Sequence, residues 1–261
     1  MTKEMYDLET HNEVDCESSF DPSHLAIFEP CLDSDGERAK PSTWTGPSSP
    51  QAWTKDVTGS VRTTLHDRPQ NRDDVFAALP SLDDEDAWLT IMAWGGQHRR
   101  SGGSSWHDRT RWLPIVRDLR TGAIDALEAY RRFSEERIKG TGPAYFTKAI
   151  FFLQQSGQDR PGYIMDQWTA KSMELLQARA PGQPRVHWDG CSRKVRRDGT
   201  VNWQATVARR NGVEVYERYC LFVDVLATRT KRAPEVIEEA LFAGRGSAWR
   251  AHTMAHWQPA S

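Results

Sequence analysis

No stretch of the 261 residues approaches the roughly 18 consecutive apolar side chains that a bilayer-spanning helix requires, which sets membrane-embedded functions aside. The first residues are acidic and lack the basic-then-apolar order of a secretory leader, so a cytoplasmic protein is expected. Cysteine is scarce. Cys16, Cys31, Cys191 and Cys220 lie far apart, with no Cys-x-x-Cys pair and no His at finger spacing, which argues for reduced thiols and against a structural zinc site. There is no internal repeat, and the formal net charge is only -2. That near-neutrality conceals an asymmetry: residues 1–40 hold 11 acidic and 3 basic side chains, net -8, which leaves net +6 on residues 41–261. The basic remainder is long enough to bury a sizeable core.

The acidic stretch runs into a segment rich in Pro, Ser and Gly at 40–50, whose weak periodicity and many breakers make poor material for a core. The expected division is a flexible acidic arm over 1–58 and a helical domain over 59–261. Within the arm, the apolar patch from His24 to Phe28 offers a surface that can pack on the body. From about residue 72 the pattern turns helical, and 73–79 and 81–94 open with acidic first turns that suit helix N-termini. Further helices are expected over 106–119 and 125–136, after a Gly- and Arg-rich interruption at 95–105. A basic insertion at 185–215 breaks the rhythm. There 185–188, 201–207 and 213–216 read as strands of one or two hairpins with turns at Gly199 and Gly212, although 201–209 reads equally as helix. Helices return over 219–227 and 234–242, where Pro234 suits a first-turn position.

The most informative stretch runs from Arg137 to Leu153. A helix ends, Gly140-Thr141-Gly142 makes a tight turn preceded by Lys139, and Pro143 opens a nearly all-apolar helix. Such a turn presents backbone N–H groups at a helix N-terminus with no side chain in the way, which suits a phosphate oxygen, although most Gly-x-Gly sequences are ordinary turns. A break with Pro161 and Gly162 follows, then the apolar triplet Tyr163-Ile164-Met165, and Asp166 begins another helix. Asp in that place is commonly just an N-cap.

Hairpin, buried helix, short loop, apolar triplet, Asp and helix, in this order, resemble the helix-hairpin-helix DNA glycosylases, and within them the 8-oxoguanine glycosylase-like branch. The resemblance covers roughly residues 80–180, with the hairpin and catalytic segment at 137–173, and 219–242 more loosely. It implies a mainly α fold, a glycosylase-like helical bundle with a small β-hairpin insertion near the C-terminal part. It implies that Lys139, Gly140, Thr141 and Gly142 grip a DNA backbone phosphate, often with a monovalent cation, Na+ or K+, on the hairpin carbonyls, and no other cofactor. It further implies that Asp166 is the catalytic carboxylate. Bifunctional members carry a nucleophilic Lys 18 or 19 residues before that Asp, and Lys148 lies 18 residues before Asp166. In many members this Lys stands two residues after the second hairpin glycine, where this chain has Ala144. Lys148 comes one helical turn later on the same face, and Lys139 is the alternative.

Cleaving a nucleoside's glycosidic bond builds positive charge on the sugar, which a nearby carboxylate stabilises while it activates water. An amine whose pKa is lowered by an apolar wall can attack the sugar instead, forming a Schiff base that leads to strand cleavage. The target base must first leave the duplex, which calls for aromatic walls together with cations on phosphate. Eleven tryptophans are many for this length, and several are interleaved with basic residues. Gln97, His98, Arg99, Arg100, Trp106, Gln167, Trp168, Arg193 and Arg197 are the candidate pocket or DNA contacts, while at least half of the tryptophans, Trp88 among them, belong to the core. His252 and His256 are four apart but lack a third metal ligand. The expected activity is excision of a modified base from double-stranded DNA by a monomer, leaving an abasic site. The insertion and the tryptophan content lean toward hypermodified phage DNA, such as glucosylated hydroxymethylcytosine, as in antiphage glycosylases that resemble this branch. The alternatives are an 8-oxoguanine repair glycosylase with abasic-site lyase activity, a non-catalytic DNA-binding helix-hairpin-helix protein, and a helical scaffold.

Overall fold

Two helices with no polar face run through the middle of the molecule, and the other elements wrap them. The structure is a computed structural model that describes residues 20–33, 44–154, 160–178, 186–195, 201–242 and 248–259. Twelve α-helices and one strand pair occur among these residues: α1 (Pro22–Asp33), α2 (Pro50–Thr58), α3 (Arg72–Ala78), α4 (Asp84–Trp94), α5 (Arg99–His107), α6 (Arg109–Thr121), α7 (Ala126–Glu136), α8 (Pro143–Leu153), α9 (Gln167–Leu176), β1 (Trp188–Val195), β2 (Val201–Val207), α10 (Val213–Thr230), α11 (Pro234–Phe242) and α12 (Ala248–His256). The strands pair antiparallel, with a register shift between Asp189 and Ser192. The fold is therefore mainly α with a small β-hairpin near the C-terminal part.

Helix starts follow the acidic and amide side chains. Asn71, Asp83, Asp125 and Asp166 each accept backbone N–H groups at the N-termini of α3, α4, α7 and α9, caps that stabilise by about 1 kcal/mol each. In α4 every residue from Asp86 to Trp94 is buried, and in α8 every residue from Phe146 to Leu153, which makes these the central pair. Stacked rings tie the surrounding helices to them and to one another. Trp88 of α4 lies 4.5 Å from Trp112 of α6, Phe133 of α7 lies 5.4 Å from Phe146 of α8, and Tyr130 lies 4.3 Å from Tyr216 of α10.

Three expectations need correction. The flexible arm does not describe residues 20–33 and 44–58, which are docked. Leu25, Phe28 and Leu32 form an apolar stripe at helical spacing, and Phe28 meets Trp249 of α12 at 5.1 Å between ring centroids. His24 Nδ1 and His252 Nε2 approach to 2.8 Å across the same pair of helices. Trp53 of α2 is buried and donates from Nε1 to the Gln97 carbonyl at 2.8 Å. Residues 1–19 and 34–43 of the proposed arm lie outside the described residues. Second, 213–216 starts α10 and is not a strand, because Val215, Tyr216, Tyr219, Cys220 and Val223 share one buried helical face. Third, most of the glycine-rich interruption is helix. In α5 the small residues let the backbone close on α2, so that a Cβ at Gly102 would stand 2.6 Å from the Trp53 ring. Tertiary packing here overrides a poor local propensity.

Gly102→Ala therefore tests whether packing or propensity governs α5. In an exposed helix the change stabilises by about 1 kcal/mol, whereas overpacking costs about 1–3 kcal/mol, and a net fall in urea unfolding stability is expected.

Candidate active site

The hairpin forms where α7 ends on Arg137, at φ 48°, and Gly140, at φ 73°, reverses the chain toward α8. A Cβ on Gly140 would lie 2.1 Å from the Ser101 carbonyl oxygen, so only glycine allows both this backbone and the close approach to α5. Side chains from elsewhere hold the turn. Gln97 Nε2 donates to Gly140 O at 2.9 Å and to Thr141 Oγ1 at 3.2 Å, and Thr141 Oγ1 donates to Ser105 Oγ at 2.9 Å. Asp108 accepts the Lys139 N–H at 2.9 Å. Arg209 Nη2 donates to the carbonyls of Ile138 at 2.7 Å and Thr141 at 2.6 Å, and Arg111 Nη1 donates to that of Glu136 at 2.9 Å. α8 begins at Gly142 with no side-chain cap and with Pro143 at its first position, and a Cβ on Gly142 would meet nothing within 4 Å. An uncapped helix N-terminus opening on free space can accept an anion.

A cavity of about 540 Å³ lies beyond the hairpin, with Lys148 of α8 and Asp166 at the start of α9 in its lining. Asp166 is 7% exposed. Its Oδ1 accepts the N–H groups of Trp168 at 2.7 Å and Thr169 at 3.2 Å, while its own N–H donates to Thr169 Oγ1 at 3.0 Å. Thr147 of α8 accepts the Met165 N–H at 3.1 Å, which fixes the apolar triplet against the helix that carries Lys148. The Lys148 amine reaches back to donate to the Ala144 carbonyl at 2.5 Å. Burial lowers its pKa, and Arg72 adds to the effect against the opposing pull of Asp166 and Glu238.

Trp44, Trp94, Tyr145, Trp168 and Phe242 supply aromatic walls. Arg72 of α3 and Glu238 of α11 also line the cavity and form an ion pair at 2.7 Å with side chains 9% and 1% exposed. Burial raises the Glu238 pKa and Arg72 opposes it. The Arg72 guanidinium lies over Phe151 at 4.8 Å, yet its Nε and Nη1, Glu238 Oε1 and Trp94 Nε1 are buried without a hydrogen-bond partner among the described residues. Behind Trp168, the Arg250 guanidinium stacks on the indole at 3.6 Å. Lys171 lies against Trp168 and Trp257, at 4.8 and 4.4 Å, and donates to the Trp203 carbonyl at 2.8 Å. Burial, reinforced by Arg250, lowers its pKa to about 8.

Of the residues singled out from the sequence, Lys148, Asp166, Gln167 and Trp168 meet at the cavity. Gln97 does not: it is 2% exposed and braces the hairpin. His98 caps α5, accepting the Arg100 N–H on Nδ1 at 3.2 Å, and Arg99 and Arg100 occupy the first turn of that helix, not a loop, with Arg99 paired to Asp56 at 2.8 Å. Trp106 packs between Arg62 and Arg109, at 5.0 and 5.1 Å, and is not part of the cavity wall. Arg193 is exposed on β1, and Arg197 lies outside the described residues. The monovalent cation expected on the hairpin carbonyls does not fit these residues, because Arg209 already engages Ile138 O and Thr141 O. Sequence reasoning missed Arg72 and Glu238. The available signal was a charged residue inside the buried face of a helix, Arg72 with Val75 in α3 and Glu238 with Ile237 and Leu241 in α11.

Comparison with known families gives one match. The family described as "Putative 8-oxoguanine DNA glycosylase OGG-like protein" matches residues 32–242. The chain belongs to this OGG-like family, which makes DNA glycosylase its general function and DNA its substrate. No curated protein and no solved structure matches it. Among the described residues no helix is long and apolar enough to cross a membrane.

The buried pair gives a stability prediction. Glu238→Ala leaves the Arg72 charge alone in the interior and is expected to cost about 3–5 kcal/mol, whereas Arg72→Met with Glu238→Leu removes both charges and is expected to stay within about 1–2 kcal/mol of wild type. Denaturant titration of the three proteins checks the difference.

Proposed function

We propose that the chain flips a modified base out of double-stranded DNA into the cavity and cleaves its N-glycosidic bond, leaving an abasic site, with Asp166 as the catalytic carboxylate. The supporting observation is that Asp166 shares a cavity with a desolvated amine and aromatic walls, close to an open helix N-terminus. From Gly142 to Lys148 is about 9 Å of helix, so a strand gripped at the hairpin brings a neighbouring nucleotide to the cavity. Lys139, Gly140 and Gly142 hold the phosphate, with Thr141 turned inward to brace the corner, while Arg100 and Arg193 add positive charge outside the pocket.

Asp166 stabilises the cationic sugar and directs water to it. Its capping bonds fix the carboxylate in place, so little reorganisation accompanies the reaction. The substrate class favoured is a hypermodified base such as glucosylated hydroxymethylcytosine in phage DNA, and the role is antiphage defence. A volume of about 540 Å³ leaves room for a sugar beyond the base. Trp44 and Trp168 offer stacking faces, and the unpartnered atoms of Arg72, Glu238 and Trp94 are suited to a polar ligand. The second reading is 8-oxoguanine repair with lyase activity, favoured by the family description and by the buried Lys148 amine.

Asp166→Asn keeps an N-cap of similar rank and removes the charge, so the variant is expected to remain folded while abasic-site formation falls about 10²–10³-fold or more. Assaying glucosylated phage DNA against an 8-oxoguanine duplex identifies the base, and wild-type activity on neither overturns the reading. Borohydride trapping addresses Lys148. Because the neutral amine reacts and burial lowers its pKa, trapping is expected to rise with pH, to level off below the ordinary lysine value of about 10.4, and to vanish in Lys148→Ala. Absence of trapping in the wild type assigns the reaction to hydrolysis through Asp166.

A further inference from the structure

An ion shared between hairpin carbonyls and a DNA phosphate needs those carbonyls free. In this chain guanidinium groups occupy them. Arg209 donates to Ile138 O at 2.7 Å and to Thr141 O at 2.6 Å through one nitrogen, and Arg111 donates to Glu136 O at 2.9 Å. Positive charge therefore already faces the inner side of the corner, and it is covalently attached.

Arg209 also differs from an ordinary structural arginine. It is half-buried, and no ion pair among the described residues includes it. The nearby charged group acting on it is another cation, Arg137, and its Nη1 is buried without a hydrogen-bond partner. Its charge is thus left uncompensated beside a helix N-terminus. A tight turn after β2 presents it. Asn211 donates from Nδ2 to His187 O at 2.9 Å and Ala208 O at 2.8 Å, accepts the His187 N–H at 2.7 Å, and is held through its carbonyl by the Tyr130 hydroxyl at 3.1 Å.

We propose that the Arg209 guanidinium stands in for the monovalent cation at the hairpin, so that the turn clamps a DNA phosphate with a charge built into the chain. The proposal rests on reading the hairpin as a phosphate clamp, and does not depend on which base is excised or how. A recruited ion makes affinity depend on its size and concentration, whereas a tethered guanidinium is always present.

The test is fluorescence anisotropy of the full chain on a duplex bearing a tetrahydrofuran abasic analogue, in potassium, sodium or tetramethylammonium chloride at equal ionic strength. Tetramethylammonium is too large to sit among carbonyls. Wild-type Kd is expected to agree within about twofold across the three salts. Arg209→Ala is expected to bind about tenfold more weakly in tetramethylammonium and to regain much of the loss in potassium or sodium, as the vacated carbonyls recruit an ion, while Arg209→Lys stays indifferent to the salt used. A wild type that needs potassium or sodium overturns the proposal, and so does an Arg209→Ala that is unchanged or equally weakened in all three salts. If Arg209→Ala does not fold, the wild-type and Arg209→Lys measurements still decide. Normal salt-indifferent binding without base excision sinks only the glycosylase reading, and a wild type without DNA affinity sinks both.

Discussion

The two backbone N–H groups of the first turn of α9 that converge on Asp166 Oδ1 are the fixed point of the site. A carboxylate left to rotate would turn toward solvent. Here it is held by the helix it starts, and Thr169 closes the box from the other side. The apolar triplet before it is pinned by Thr147 and by the hydroxyls of Tyr216 and Tyr219, which donate to the carbonyls of Tyr163 and Ile164. The position of the carboxylate thus follows from backbone hydrogen bonding, and it is held by the same contacts that fix the core behind it.

Around that point the molecule tolerates several charges that water would normally claim. Lys148, Glu238 and Arg72 are all taken from solvent; Arg72 and Glu238 act on Lys148, and Arg72 acts on Glu238. Isolated, any one of them would be expensive to bury. Together with Asp166 they form a set in which opposite signs alternate, and removal of a single member disturbs the rest.

How much of this was legible in the sequence depended on whether the information was local. The order of hairpin, apolar helix, triplet and Asp166 lies within thirty or so residues, and its glycines and caps announce themselves through backbone requirements. Gly140 is readable because only glycine meets its φ and its contact with α5. Arg72 and Glu238 were not readable as a pair, since they are 166 residues apart and meet only after α3 and α11 have packed. Arg209 appeared as one basic residue among many, and its attachment to the hairpin depends on a turn locked by Asn211. The run that forms α5 reads as an interruption because Gly102 answers to the tryptophan of α2 and not to helix propensity. Docking of α1 was visible as an apolar patch, although its charge and its breakers pointed the other way.

The stack of Arg250 on Trp168 makes the cavity wall depend on the last helix of the chain. Arg250 belongs to α12, and α12 falls beyond residue 242, where the family match stops. The matched span therefore ends before the group that stacks on the indole at the cavity wall, and α1, joined to α12 through Phe28 and His24, lies almost wholly outside that span at the opposite end. A version trimmed to the matched span would keep hairpin and carboxylate yet lose the guanidinium stacked on the Trp168 indole, so the cavity wall would lean on α12 for a support that the matched span does not contain.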